Sequence, residues 1–408
     1  MATQAASDPS LSLYRLLDPA VLADPYPLYA RLREEDPVHW DPYLHCWVFT
    51  RYADVHQVLH SFSADRTPSP DHLRALGIVG IEPIAELMVR QMLFLDAPKH
   101  TRLRKLCSTA FTPRRVEQLE QRIVEIADRL IERVFASRRM DVMNDFAAPY
   151  PSIVFAALLG VPEEDHARLK AWSADFAEML GNFQHNIDRV AQVLKSTSEM
   201  VAYFRSAIHE EERPLADGLL KSLVEAEEDG ERLSEEEVIA NAIVTMVGGQ
   251  ETTTNLIASG LLTLLRQPDK LAELRDRPEI TASAVEELLR FESPSQHTGR
   301  ICREDVVIGG KLIRKGEAAM AVMAAGNRDP DRFADPDNLD FERQENRHLA
   351  FGWAAHFCFG APLARMEGRI AFRALLDRLP NLALEEGKLE WRENLGLRGL
   401  KSLPVRFG

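Results

Sequence analysis

A chain of 408 residues that is 45% apolar and 27% charged has the composition of a soluble globular protein with a substantial core. Its net charge of −14 argues against nucleic acid or an anionic membrane as the main partner. The N-terminus, MATQAASDPSLSLYRLL, has no basic stretch followed by an apolar core, and no apolar run suggests a bilayer span, so a cytoplasmic location is expected.

In chain order, residues 1–12 read as a mobile tail. DPYPLYARLREEDP predicts a short helix, and PVHW and CWVFTRY predict short strands. Helical periodicity dominates from Tyr52 to about Arg266, with helices expected at 98–111, 114–136, 151–159, 163–180 and 186–212. It is interrupted near 62–95 by a segment containing TPSPDH and IVGIEP, long enough to suggest a lid or binding loop. With no repeat and no low-complexity linker, a single domain over 13–408 is expected.

A helix of roughly 50 Å should run from Ser234 to about Arg266. Ser234 and Glu237 form a capping-box pattern at its start. Ile239, Ala242, Ile243, Met246 and Val247 then share one apolar face. Its centre reads VGGQETTTN, Val247 to Asn255. Two glycines there each cost about 1 kcal/mol against alanine, and three β-branched threonines weaken it further. Departures from local consistency of this kind are expected at functional sites. Beyond lie a helix ending in VEELLRFESP, a β-rich stretch through EDVVIGGKLIRKGE, and a last helix, APLARMEGRIAFRALLDRL, followed by short strands. The chain is mainly α with a minor β region.

Cys46, Cys107, Cys302 and Cys358 are far apart, with no C-x-x-C, which disfavours a paired-cysteine zinc site and covalent c-type haem. Only Cys358 stands just before a predicted helix. There the positive end of the helix dipole and unpaired N–H groups favour a thiolate. A nucleophile, a redox centre and a metal ligand are all open on this evidence, as is an inert core thiol. His356, two residues away, is awkwardly placed as a catalytic base.

The stretch FGWAAHFCFGAPLAR, with Phe351, Gly352, Ala354, His356, Cys358, Gly360, Leu363, Ala364 and Arg365, resembles the haem-binding signature of cytochromes P450. The family often has glycine where this chain has Ala354. Glu287 and Arg290 resemble its E-x-x-R pair, and Arg343 its third ion-network member. DAPKHTRLRKL resembles its haem-flanking helix, and VGGQETTTN the part of its long helix that passes over the haem. The resemblance runs from about Asp24 to Phe407 and points to the soluble bacterial type.

That resemblance implies the cytochrome P450 fold, with haem b between the long central helix and the Cys loop with its following helix. Cys358 would be the iron ligand, and His100, Arg104, Arg300 and His356 would meet the haem propionates. Phe351 would belong to the cofactor site. Gly248 and Gly249 would leave space for O2, while Thr252 and Glu251 would relay protons, Glu251 being linked to solvent. The implied activity is insertion of one atom of O2 into a mid-sized, mostly apolar molecule. Electrons would come from a separate ferredoxin and its NAD(P)H-dependent reductase, since no flavin or nicotinamide fingerprint is present. The protein would be a monomer without a membrane anchor. A peroxide-driven enzyme of the same fold and a catalytically idle recruitment module are the alternatives. Ile243 and Val247 are candidate apolar pocket walls, and Gln296, His297 and Thr298 candidate polar groups at its edge. Arg102, Lys105, Arg114 and Arg115 form a candidate basic patch for the ferredoxin.

Overall fold

The computed structural model describes residues 8–67, 71, 80–181, 187–210, 215–228 and 230–408. The start of the expected tail (1–7) and much of the expected 62–95 loop (68–70 and 72–79) lie outside them. The fold is 58% helix and 10% strand. The chain falls into two compact units.

One unit holds Met1–Ala64, Asn255–Cys358 and Ala383–Leu403. Its centre is a mixed sheet. Cys46–Phe49 pairs antiparallel with Val38–Asp41 and parallel with Ala318–Ala321, which pairs antiparallel with Thr298–Ile301. All four residues of Cys46–Phe49 are buried, as expected of a strand covered on both faces. The helix Tyr52–Ser61 lays Val55, Val58 and Leu59 into the core beside Phe49, Ala321 and Leu349. Its His56 packs on Trp353 of the Cys loop, ring centroids 4.6 Å apart. In the hairpin Val306–Ile308/Lys311–Ile313, Gly309 and Gly310 turn the chain at φ +58° and +76°. Only glycine pairs and a few polar residues adopt such a turn readily.

The other unit holds Asp65–Thr254, Phe359–Leu382 and Pro404–Gly408 and is largely helical. Glu120–Phe135 buries Ile123, Ile126, Ala127, Leu130 and Ile131 at helical spacing and packs on Ala361–Arg378. Arg378 adds ion pairs to Asp128 and Glu132. The single helix expected over 114–136 is two, Pro113–Gln118 and Glu120–Phe135. A stretch not singled out from the sequence, Val142–Leu159, reaches 18 residues at mean hydropathy 1.3, yet 72% of it is buried inside the protein. It is a core segment.

The long helix spans Glu235–Leu265, 31 residues, or about 46 Å. Its capping box forms in both directions: Glu237 N–H donates to Ser234 Oγ at 3.2 Å and Ser234 N–H to the Glu237 carboxylate at 2.9 Å. The helix passes through VGGQETTTN without a break.

Candidate active site

The Cys loop is shaped by backbone bonds. Gly352 N–H donates to the Leu349 carbonyl, Phe357 N–H to Ala354 and Cys358 N–H to Phe351, at 2.8, 3.1 and 2.8 Å. Two residues take left-handed backbone, Gly352 at φ +72° and Ala354 at φ +55°. This explains why glycine suits position 354: alanine there carries about 1–2 kcal/mol of strain. Cys358 is exposed, whereas Cys46, Cys107 and Cys302 are buried. Burial pushes the Cys46 and Cys107 thiols up to about 12, so they remain protonated. Next in the chain, Phe359 packs on Phe111 at 4.7 Å and lies under the Arg104 guanidinium at 5.5 Å.

On the long helix, burial separates the glycines. Gly248 is exposed and has open space where a Cβ would be, but a Cβ on Gly249 would meet the Phe155 ring at 1.9 Å. The expectation that both leave room for O2 therefore divides. Gly248 gives open space; Gly249 lets the helix Pro149–Leu159 approach closely. Thr252 is half-buried, and its hydroxyl donates to the Gly248 carbonyl at 2.5 Å. A hydroxyl bonded back to i−4 loosens the helix while staying within it. Glu251 differs from its expected state. Its side chain is 1% exposed and is ion-paired with Lys170 of the helix His166–Gly181. Lys170 itself is 19% exposed, so the lysine carries the link to solvent. Nothing local in the sequence marks Lys170, which lies 81 residues away.

The Glu287–Arg290 pair of the ion network is wholly interior, and Arg343 is 9% exposed. Arg290 donates to both Glu287 oxygens at 2.8 and 2.7 Å, and Arg343 reaches the same carboxylate at 3.2 Å. Glu287 and Arg290 have no exposed side-chain surface. Remaining Arg290 donors meet the carbonyls of Asn327, Pro336 and Asn338. Two partners escaped the sequence reading, the Asp340 N–H and the Asn346 amide, both bonded to Glu287. A buried pair is tolerated only when its spare lone pairs and protons are satisfied in this way.

Among the expected propionate cations, His100 is buried, and burial followed by nearby Arg104 lowers its pKa. Arg300 is buried and donates to Thr298 Oγ1 at 3.0 Å and the Gly299 carbonyl at 2.8 Å. His356 is half-buried.

The tentative pocket needs correction. Ile243 and Val247 are 0% and 1% exposed, within packed core. The open face of the helix runs through Thr245, Gly248 and Thr252, positions at i, i+3 and i+7. Gln296 is no free polar edge: it accepts from the Tyr29 hydroxyl at 3.1 Å and donates to the Ser293 carbonyl at 2.6 Å. His297 is held neutral, its pKa lowered to about 4 by burial and only partly restored by a hydrogen bond with the Leu395 backbone. Thr298 serves Arg300. The basic patch also shrinks. Arg102 pairs with Glu237, and Arg115 bonds Ser222 and the Ala110 carbonyl, leaving Lys105 and Arg114 as its exposed members.

Comparison with known proteins shows the family. The family profile for cytochrome P450 matches residues 84–395. The chain is 41% identical to cytochrome P450 monooxygenase PikC of Streptomyces venezuelae, over 98% of this chain and 95% of that one. It is 40% identical to vitamin D(3) 25-hydroxylase of Pseudonocardia autotrophica, over 94% of each. A solved structure of P450BioI in complex with hexadec-9Z-enoic acid-ligated acyl carrier protein superimposes with a TM-score of 0.89 at 35% identity. That match covers 96% of this chain and 99% of that one. The chain belongs to the cytochrome P450 family and is a P450 monooxygenase of the bacterial type. The family is one of haem-thiolate iron enzymes that act on small molecules with redox partners.

Proposed function

We propose that residues 13–408 act as one cytochrome P450 domain that binds haem b through the Cys358 thiolate and hydroxylates or epoxidises a mid-sized, mostly apolar molecule. The observation that carries this reading is the exposed Cys358 on a backbone-closed loop, in a chain whose other cysteines are buried. One thiol with the hydrogen-bond donors His100, Arg104, Arg300 and His356 supplies the kinds of group an iron porphyrin with two propionates requires. Haem, when bound, supplies activation of O2.

This chain's residues do the rest. Gly248 leaves room beside the helix, and the Thr252 hydroxyl holds a proton at the open face. Glu251 replenishes it, its charge balanced by Lys170. Such relays are worth about 10²–10⁴-fold in rate. Electrons come from a separate ferredoxin and an NAD(P)H-dependent reductase, and the enzyme works as a monomer in the cytoplasm. The substrate is an apolar skeleton with a polar group, a class supported by relatives named for polyketide biosynthesis and vitamin D hydroxylation.

The test is product formation with NADPH, reductase and ferredoxin, set against product formation with hydrogen peroxide alone. Turnover only in the first supports the reading. Turnover only with peroxide would make it a peroxygenase, and turnover in neither would leave a haem-binding module.

A further inference from the structure

We infer that the helix Tyr26–Glu35 carries a second binding site, built on Arg33, for a small monocarboxylate with an apolar body. In the stretch DPYPLYARLREEDP, Tyr26, Tyr29, Ala30 and Arg33 stand at i, i+3, i+4 and i+7 and share one face of that helix. With Ala325 and Arg328 they frame a cavity of about 260 Å³. That is room for roughly nine water molecules at about 30 Å³ each, and it falls below the range of about 300–1,000 Å³ that holds drug-sized ligands. None of these residues is among those assigned to haem, to O2 or to the proton relay.

Arg33 is the feature that asks for a ligand. It is only 8% exposed. Among the described residues it enters no ion pair, and its side chain makes a single hydrogen bond, from Nη1 to the Ala325 carbonyl at 3.1 Å. Nε and Nη2 are left as the open edge of the guanidinium. That edge is the fork that meets a carboxylate with two parallel N–H···O bonds. The carboxylates nearby are engaged elsewhere. Asp329 accepts from the N–H groups of Tyr52 and Asp331 at 2.7 and 3.1 Å, and Asp337 accepts from Arg328 at 3.1 Å. Burial disfavours the Arg33 charge, and Asp329 and Asp337 offset this only from beyond ion-pair distance. A buried charge without a partner is strongly destabilising, and a bound carboxylate would supply the partner.

Arg328, on the wall of the same cavity, sharpens the assignment by contrast. Its Nε and Nη2 both donate to the Phe291 carbonyl, at 3.0 and 2.7 Å, and its Nη1 donates to Asp337. Its guanidinium also lies 3.5 Å from the Tyr26 ring centroid and 3.8 Å from that of Phe291. Of the two arginines, Arg33 alone keeps its fork open. The rings of Tyr26 and Tyr29, packed edge to face at 6.0 Å, give the ligand's body apolar surface. The exposed Asp24 and Asp337 also line the cavity, and they repel a second negative charge. A singly charged carboxylate on a small apolar body, such as benzoate, is therefore favoured over phosphate.

The experiment is calorimetric titration of the haem-loaded protein with benzoate, benzamide and inorganic phosphate, the haem spectrum being recorded in parallel. One benzoate per chain is expected to bind without changing the haem spectrum. It should bind about 10–100-fold more tightly than benzamide, the worth of hydrogen bonds to a charged group, and more tightly than phosphate. Arg33→Leu should reduce benzoate to the level of benzamide. Ala30→Leu, which narrows the cavity and leaves the guanidinium in place, should weaken benzoate and benzamide alike. No benzoate binding by the wild type, binding that shifts the haem spectrum, equal affinity for benzamide, or an affinity that survives Arg33→Leu overturns the site. If Arg33→Leu does not fold, an unaltered benzoate affinity in Ala30→Leu overturns it instead. Tighter binding of phosphate than of benzoate overturns the choice of a monocarboxylate.

Discussion

Lys170 is ion-paired with Glu251, and of the two only the lysine reaches the surface. Removing one partner of a largely buried pair strands the other and costs about 3 kcal/mol. Lys170→Met should therefore leave Glu251 favouring its protonated form. The measurement is product per NADPH across pH. The variant should lose coupling as strongly as Thr252→Ala does, with its pH optimum displaced, while substrate still shifts the haem spin state in both. An unchanged profile in Lys170→Met would show that Glu251 needs no charge partner.

Ala354 sits at φ +55° on the exposed surface of the Cys loop. Glycine there relieves about 1–2 kcal/mol of backbone strain and returns about 0.5–1 kcal/mol through greater freedom of the unfolded chain. Ala354→Gly should stabilise by about 0.5–1 kcal/mol. In urea this is a higher midpoint with an unaltered slope. A lower midpoint would mean that the loop is not strained at this residue.

Glu367 is buried on the helix Ala361–Arg378, and burial pushes its carboxyl well above the usual range. Once pH exceeds the ordinary carboxylate value, the unfolded chain releases this proton and the folded chain keeps it. Stability then falls as pH rises, by up to about 1.4 kcal/mol per unit, until the folded group also titrates. Glu367→Gln should be more stable than wild type at pH 7.5, the difference shrinking toward pH 4.5. A difference that does not vary with pH would show that the carboxyl ionises normally.

Lys105 and Arg114 are exposed, while Arg102 and Arg115 are half-buried. Electrostatic steering by an acidic ferredoxin should then depend on the first two. Ferredoxin-supported reduction should slow at low salt for Lys105→Glu and Arg114→Glu, converging on the wild-type rate as salt screens the charges. Arg102→Glu should act through stability instead. Equal rates at all salt concentrations would remove the patch.

Much of this was legible in the sequence because it is local. The capping box at Ser234 and Glu237 and the Glu287–Arg290 spacing each lie within one element. The Cys-loop motif is likewise contiguous. What escaped depends on pairings between distant elements: Lys170 with Glu251, Phe155 against Gly249, Tyr29 on Gln296. A periodic pattern also fixes which residues share a helix face but not which face is covered. That is why Ile243 and Val247 were expected at a pocket and lie in the core, while Thr245 lies on the open face.

The central claim is thiolate ligation of haem iron by Cys358, and the reduced carbon-monoxide spectrum reads it directly. Wild type should show the strongly red-shifted Soret band of a thiolate ligand, and Cys358→Ser and Cys358→His should lack it even where haem is retained. Cys46→Ser, Cys107→Ser and Cys302→Ser should keep it. A thiolate-type band surviving in Cys358→Ser, or absent from the wild type, would contradict the account.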